Sequence, residues 1–247
     1  MFMIKGRFLV LAAVAAMSAS ANAAIVTQWN FNSTVPDAAT GTGVTTPSIG
    51  SGTASAIGGV NGTAFGSGDS NGGSTDPATG DDSGWQTTTY PASGVGSGTG
   101  GTQYTVNTTG QTDISVSYDL RHSNTSSRFE QFQYSIDGTN FITTGLPDNG
   151  VFAGATGDTW FNNRFIDLSA IDSVENNANF AFRIVSIFDP AGTNYVASNT
   201  ASTYAASGTW RFDMVTVNTG PVPEPTSVAA IGLAAIALSL RSRSRRR

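Results

Sequence analysis

The chain has 247 residues with a formal net charge of −5, and only 12% of its residues are charged. It contains no cysteine and one histidine, His122, so thiol catalysis, cysteine-ligated metals and a two-histidine metal site are all excluded. Between its two ends there are five arginines, no lysine and sixteen acids, a charge of −11. A surface of that sign has no basic stripe to release phosphate counterions, which excludes nucleic acid as a partner.

Residues 1–23 read as a secretory signal peptide. Lys5 and Arg7 form a basic start, Phe8 to Met17 an apolar stretch, and Ala21-Asn22-Ala23 a small-x-small site with cleavage after Ala23. The apolar stretch is too short for a ~30 Å hydrocarbon core, which needs ~20 residues. The body, residues 24–220, is large enough for one domain with a sizeable core.

Its first strand is expected from Ile25 to Phe31. Residues 41–101 hold 18 glycines, four acids and no base. That composition predicts long loops around short strands, such as Thr53 to Val60 and Trp85 to Tyr90. From residue 102 the pattern alternates. Ile114, Val116, Tyr118 and Leu120 interleave with Asp113, Ser115, Ser117 and Asp119, a period of two and hence a half-buried strand. Phe132, Tyr134 and Ile136 alternate with Gln131, Gln133 and Ser135, then meet Asp137-Gly138, a hairpin signal returning at Phe141-Ile142. Trp160 to Leu168 is a further strand, followed by a single capped helical turn at Ser169 to Asp172. Phe180 to Phe188, apolar on both parities apart from Arg183 and Ser186, predicts a central strand. Thr209 to Val217 closes the body, with Trp210, Phe212 and Met214 on the core face and Arg211 and Asp213 turned outward or to a loop.

Strands of this length without intervening helices predict an all-β fold, an antiparallel β-sandwich. The closing run, Gly208-Thr-Trp-Arg-Phe-Asp-Met-Val-Thr-Val217, resembles the last strand of extracellular jelly rolls, including carbohydrate-binding and discoidin-like modules. The first and last strands are expected to be sheet neighbours.

Four groups of residues are candidate sites. Gly68-Asp-Ser70-Asn-Gly72 matches G-x-S-x-G, with His122 further on, but lacks the strand before and helix after that a nucleophile elbow needs. Glu130 and Glu175 are the body's only glutamates; Glu130 shares parity with Phe132 and so is either partly buried or a strand end emerging into solvent. As a glycosidase acid it would need a second carboxylate. Asp69, Asn71, Asp76, Asp81 and Asp82 crowd one glycine-rich loop. They offer hard oxygen ligands for weak Ca²⁺ binding, or simply turn residues, since the spacing is not that of an EF-hand. Finally, Ser117, Asp119 and Arg121 share the solvent parity of one strand, and Phe129, Gln131 and Gln133 that of another. If the two strands paired, they would form a glycan-binding face or an ordinary solvated one.

The C-terminal residues 221–247 read Pro221-Val-Pro223-Glu224-Pro225, an apolar run from Val228 to Leu240, and five arginines in the last seven positions. The prolines hold Glu224 on an extended stalk, the apolar run suits membrane retention as a short helix, and the arginines stay on the cytoplasmic side. This tail resembles the PEP-CTERM sorting signal of exported bacterial proteins, with Pro223, Glu224 and Pro225 as signature. The resemblance implies recognition and cleavage by an exosortase, a membrane-embedded transpeptidase-like enzyme, after transient inner-membrane anchoring. It also implies a final place in the envelope, at the cell surface or in an exopolysaccharide matrix. The sequence thus predicts an exported, non-enzymatic β-sandwich protein, with carbohydrate binding as the alternative and no cofactor beyond possible Ca²⁺.

Overall fold

A computed structural model of the protein describes residues 24–78 and 80–220. The signal peptide with Ala21 and Ala23, and the tail with Pro223, Glu224, Pro225 and its apolar run, lie outside the described residues.

The described residues form an all-β body. Its strands are β1 (Ala24–Trp29), β2 (Thr53–Ile57), β3 (Asn61–Ser67), β4 (Ser83–Thr88), β5 (Gly101–Thr105), β6 (Ser115–His122), β7 (Phe129–Ser135), β8 (Val151–Ala153), β9 (Thr159–Asp167), β10 (Ala181–Ile187) and β11 (Trp210–Thr219). They make two antiparallel sheets. The first runs β3-β4-β11-β6-β9, with β1 also paired to β11; the second runs β2-β5-β10-β7-β8. β4 pairs with Trp210 to Phe212 of β11 and β1 with Val215 to Thr219, so first and last strands are neighbours as expected. β10 lies at the centre of its sheet, which its apolar character on both parities foretold.

The core is aromatic and joins both sheets. Trp29 and Trp85 of the first sheet meet Tyr104 of the second edge-on, at 5.2 and 6.4 Å between ring centroids. Tyr104 stacks on Phe182 at 4.8 Å, and Phe182 on Phe132 at 5.4 Å. Each of these rings is fully or almost fully buried. Each contributes about 1.5–3 kcal/mol of transfer free energy, which suffices to explain how a body without disulfides closes.

Some local expectations shift. In β11 the pairing slips between Asp213 and Thr216, and Met214 adopts a left-handed φ of 46°. This bulge breaks the two-residue period, so Val215 and Val217 are buried in place of Met214. Asp213 faces the loop side, within the expectation, but is fully buried there. The helical turn falls slightly later, as a 3-10 turn at Asp172–Val174 without a side-chain cap. After Gly138 the chain returns to β7 by one isolated bridge, Tyr134 to Ile142, and Ile136 is exposed. β3 was not expected as a strand because Gly62 and Gly66 dilute it; at Gly66 the missing side chain makes room for the Arg211 guanidinium.

Candidate metal centre

On β6, Tyr118 and Leu120 face the core, so Asp119 and Arg121 face the opposite side of the first sheet. Arg211 and Asp213 of β11 are register partners of Arg121 and Asp119 and share that outer side, as does Trp160, the β9 partner of Arg121. This side is not open to solvent, because the loop joining β3 to β4 lies on it. The backbone N–H and hydroxyl of Thr75 donate to Oδ2 of Asp119 at 2.6 and 2.7 Å. Trp160 Nε1 donates to the Ser70 carbonyl at 2.8 Å, and Arg211 Nη1 to the Ser67 carbonyl at 2.6 Å. With its amide oriented oxygen inward, Asn71 accepts from Arg121 Nη2 and Nε at 3.0 and 3.1 Å. Beneath this cover Asp119 is 1% exposed, Arg121 9% and Asp213 fully buried.

Under the same loop, Asp76, Asp82 and Asp213 each place one carboxylate oxygen within 4.8 Å of the others. Asp76 comes from the loop itself, Asp82 from the residue before β4, and Asp213 from the β11 bulge. Asp76 is held in place by Asn32 Nδ2, which donates to its Oδ2 at 2.8 Å, and by the Ala78 N–H, which donates to its Oδ1 at 2.8 Å. Asp213 Oδ1 accepts the Met214 N–H at 2.7 Å. Asp82 Oδ1 and Asp213 Oδ2 are buried without a hydrogen-bond partner. Burial, aided by the charges of Asp69 and Asp76 and opposed by the bond to Asp213, pushes the Asp82 carboxyl up to about 7. Burial likewise holds Asp213 well above the usual carboxylate range, with the Asp82 charge adding to it. Such an arrangement holds protons or a hard cation.

Of the five loop residues expected as Ca²⁺ ligands, Asp76 and Asp82 come together here. Asp69 lies close enough for its charge to act on Asp82. Asn71 turns to Arg121 instead, and Asp81 Oδ2 accepts the Asp37 N–H at 3.1 Å outside the trio. Asp213 was missed because it lies on β11, far along the chain from the loop whose carboxylates it meets.

The expected glycan face does not form, because β6 and β7 lie in different sheets. Asp119 and Arg121 are sealed under the loop. Phe129, Gln131 and Gln133 are half-buried on β7, where Gln133 Nε2 donates to Gln131 Oε1 at 3.0 Å and Arg183 of β10 is the register partner of Gln133. A separate depression of about 330 Å³ lies among the 195–204 loop and Arg128, lined by Tyr195 and Tyr204, which stack at 4.7 Å.

The serine-hydrolase arrangement does not assemble either. Ser70 sits on the outer side of the first sheet, its hydroxyl donating to the Ser67 carbonyl at 3.3 Å, whereas His122 points into the interior. There His122 Nε2 is 3.2 Å from Oε2 of Glu130, and Arg164 Nε is 3.0 Å from Oε1. Glu130 is fully buried, so its reading as a strand end emerging into solvent is overturned. The Arg164 Nε–H is not aligned on its Glu130 oxygen, so those two groups form an ion pair rather than a directed hydrogen bond, with the His122 ring beside them. Glu175 is near the other end of β6, accepting the Asp113 N–H at 2.6 Å, so the two glutamates do not form a pair.

In comparison with known families, residues 221–246 match the PEP-CTERM protein-sorting motif. No curated protein matches the chain.

Proposed function

We propose that this is a non-enzymatic structural protein of the cell surface or extracellular matrix, a jelly-roll-like β-sandwich delivered there by its tail. The match of residues 221–246 to the PEP-CTERM motif carries the reading. That motif marks an exported, envelope-associated protein handled by an exosortase-type system. Membrane retention before processing would come from the Val228 to Leu240 run and the arginines behind it. Support for a structural role comes from the body: its one histidine and its fully buried glutamate lie side by side between the sheets, and Ser70 sits on the other side of the first sheet.

The test is Glu224→Ala in the full chain, with the apolar run intact. The variant should accumulate unprocessed in the inner membrane, read by its size and by cell fractionation. Release of the variant at the rate of the parent would overturn recognition through Pro223-Glu224-Pro225.

A second reading, polysaccharide binding, draws support from the depression beside Arg128. The stacked Tyr195 and Tyr204 rings offer an aromatic wall, and Asn199 and Ser202 offer hydrogen-bonding groups of the kind sugars use. A glycan-array screen of the full chain and of Tyr204→Ala examines it: binding that survives the substitution would remove the depression from consideration.

A further inference from the structure

We propose that Asp76, Asp82 and Asp213 bind one Ca²⁺ ion, which fastens the 68–82 loop onto β11. The three carboxylates converge within 4.8 Å, two from the 68–82 loop and one from β11. Acidic residues gather on many loops without binding anything, but two of these are sealed from solvent. Asp82 is 1% exposed and Asp213 fully buried, and each keeps one oxygen without any hydrogen-bond donor. A buried carboxylate oxygen without a donor is costly unless a cation or proton meets it.

Among the described residues no side-chain cation reaches the cluster. The body has five arginines and no lysine. Arg121 pairs with Asp158 at 2.6 Å and Arg164 with Glu130. Arg128 donates to the Ala197 carbonyl, and Arg183 donates to Gln103 while covering the Phe141 ring at 3.6 Å. Arg211, nearest along the sheet, gives its Nη donors to Ser67, Ser70 and Gln86, while its Nε meets no acceptor. Among the described residues no ion pair reaches Asp76, Asp82 or Asp213.

Ligand chemistry selects the ion. The cluster offers oxygen alone, without nitrogen or sulfur, which favours a hard cation over zinc or copper. Its ligands come partly from a glycine-rich loop whose carbonyls can adjust to an irregular shell of six to eight oxygens, the habit of Ca²⁺ rather than of the strictly octahedral Mg²⁺. The supply of millimolar Ca²⁺ outside the cell rests on the export reading, but the binding itself does not. The expected consequence is mechanical: with the ion in place, the loop that roofs Asp119, Arg121 and Arg211 becomes part of the sheet.

The full chain, purified in mild detergent and stripped with a chelator, is titrated with CaCl₂ by calorimetry. Amide hydrogen exchange of residues 68–82 and the Tm are followed in parallel. We expect one ion per chain with a Kd on the order of 10⁻³ M or tighter, slower exchange across the loop and a higher Tm. Asp213→Asn and Asp76→Asn should each weaken binding by at least about tenfold, since affinity follows ligand charge. Metal-free Asp213→Asn, which keeps an oxygen for the Met214 N–H and removes a carboxyl whose charged form burial disfavours, should melt no lower than the metal-free parent, which separates lost binding from lost folding. Asp76, only half-buried, provides the second variant if Asp213→Asn fails to fold. The proposal is overturned by the absence of both heat and exchange protection at about 10 mM Ca²⁺, well beyond the weakest extracellular sites. It is equally overturned by undiminished binding in every folded variant, or by tighter binding of Mg²⁺ than of Ca²⁺.

Discussion

Glu130 of the second sheet reaches across the interior to His122 of the first, its Oε2 standing 3.2 Å from the imidazole Nε2. Arg164 closes the group from the other side at 3.0 Å, its guanidinium flanked by the Phe152 and Phe161 rings at 5.0 and 4.9 Å. His122 is oriented by its other nitrogen, which lies 2.8 Å from the Ser127 carbonyl, an acceptor that Trp210 Nε1 also uses at 3.1 Å. The aromatic core joins the sheets by contact area, whereas this cluster joins them by charge.

Removing the charge at the centre should therefore be severe. Glu130→Gln keeps the shape but leaves Arg164 without a counter-charge in the interior. Breaking a buried pair from one side costs about 3–5 kcal/mol. Urea denaturation should show that loss as a lower midpoint with an unchanged slope. A loss below about 1 kcal/mol, the range of an exposed pair, would mean that the cluster contributes no more than a surface contact.

Trp210 and Arg211 are adjacent on β11 but serve opposite sides of the sheet. Trp210 is fully buried against Tyr90 at 4.9 Å and Phe212 at 6.1 Å, so Trp210→Ala should cost about 3–5 kcal/mol. Arg211 holds the loop through Ser67 and Ser70, and burial lowers its guanidinium to about 10, helped by the neighbouring Arg121 charge. Arg211→Ala should leave the core intact and loosen the roof, seen as faster amide exchange confined to residues 68–82. Equal effects of the two substitutions on the thermal midpoint would contradict this division.

The strands were readable wherever one face is buried and the other is not. Val116, Tyr118 and Leu120, and Phe132 and Tyr134, announce β6 and β7 by period alone. Alternation also separated Asp119 and Arg121 from the core side correctly, but it cannot say what covers the other side. Polar residues under a polar loop look the same in sequence as polar residues in water. The loop composition at 68–82 was plain; its resting place on β6, β9 and β11 depends on contacts between residues far apart in the chain, such as Thr75 with Asp119. The same holds for Glu130, whose partners come from the opposite sheet. Asp213, too, meets Asp76 and Asp82 only through a contact between residues far apart in the chain. One clue to its cluster was nonetheless available: with five arginines against sixteen acids, some carboxylates had to be left without a protein cation.

Asp137 offers a test of local electrostatics away from any site. Its Oδ1 accepts the Asn140 and Thr139 N–H groups and the Ser135 hydroxyl, all at 2.8 Å, and its Oδ2 accepts Asn140 Nδ2 at 2.6 Å. These bonds, those from Asn140 first, favour the ionised form and hold the carboxyl below its ordinary 3.8. The folded value is thus depressed, so the stabilisation is present above the unfolded value and is lost as pH falls through the folded one. A carboxyl NMR titration should place the Asp137 midpoint below that of an unstructured aspartate, and a midpoint at or above 3.8 would refute the bonding pattern.

The last prediction concerns the contact between Gly68 and Asp82. The Gly68 N–H donates to the Asp82 carbonyl at 2.8 Å, and the Asp82 carboxylate lies where a side chain on Gly68 would begin. No positive φ is required at Gly68, so alanine there meets no backbone strain; the nearest obstacle is the carboxylate itself. Gly68→Ala should therefore displace Asp82 and cost about 1–3 kcal/mol, the usual range for overpacking a filled site. Truncating the obstacle should restore most of it, because Asp82→Ala opens the space that the new methyl needs. The two substitutions should be non-additive by about 0.5–3 kcal/mol, the double variant being more stable than the sum of the singles predicts. Four urea denaturation curves in chelator complete the cycle. Strict additivity would show that Gly68 and Asp82 do not touch, and with that the loop would lose the contact that seats Asp82 in its cluster.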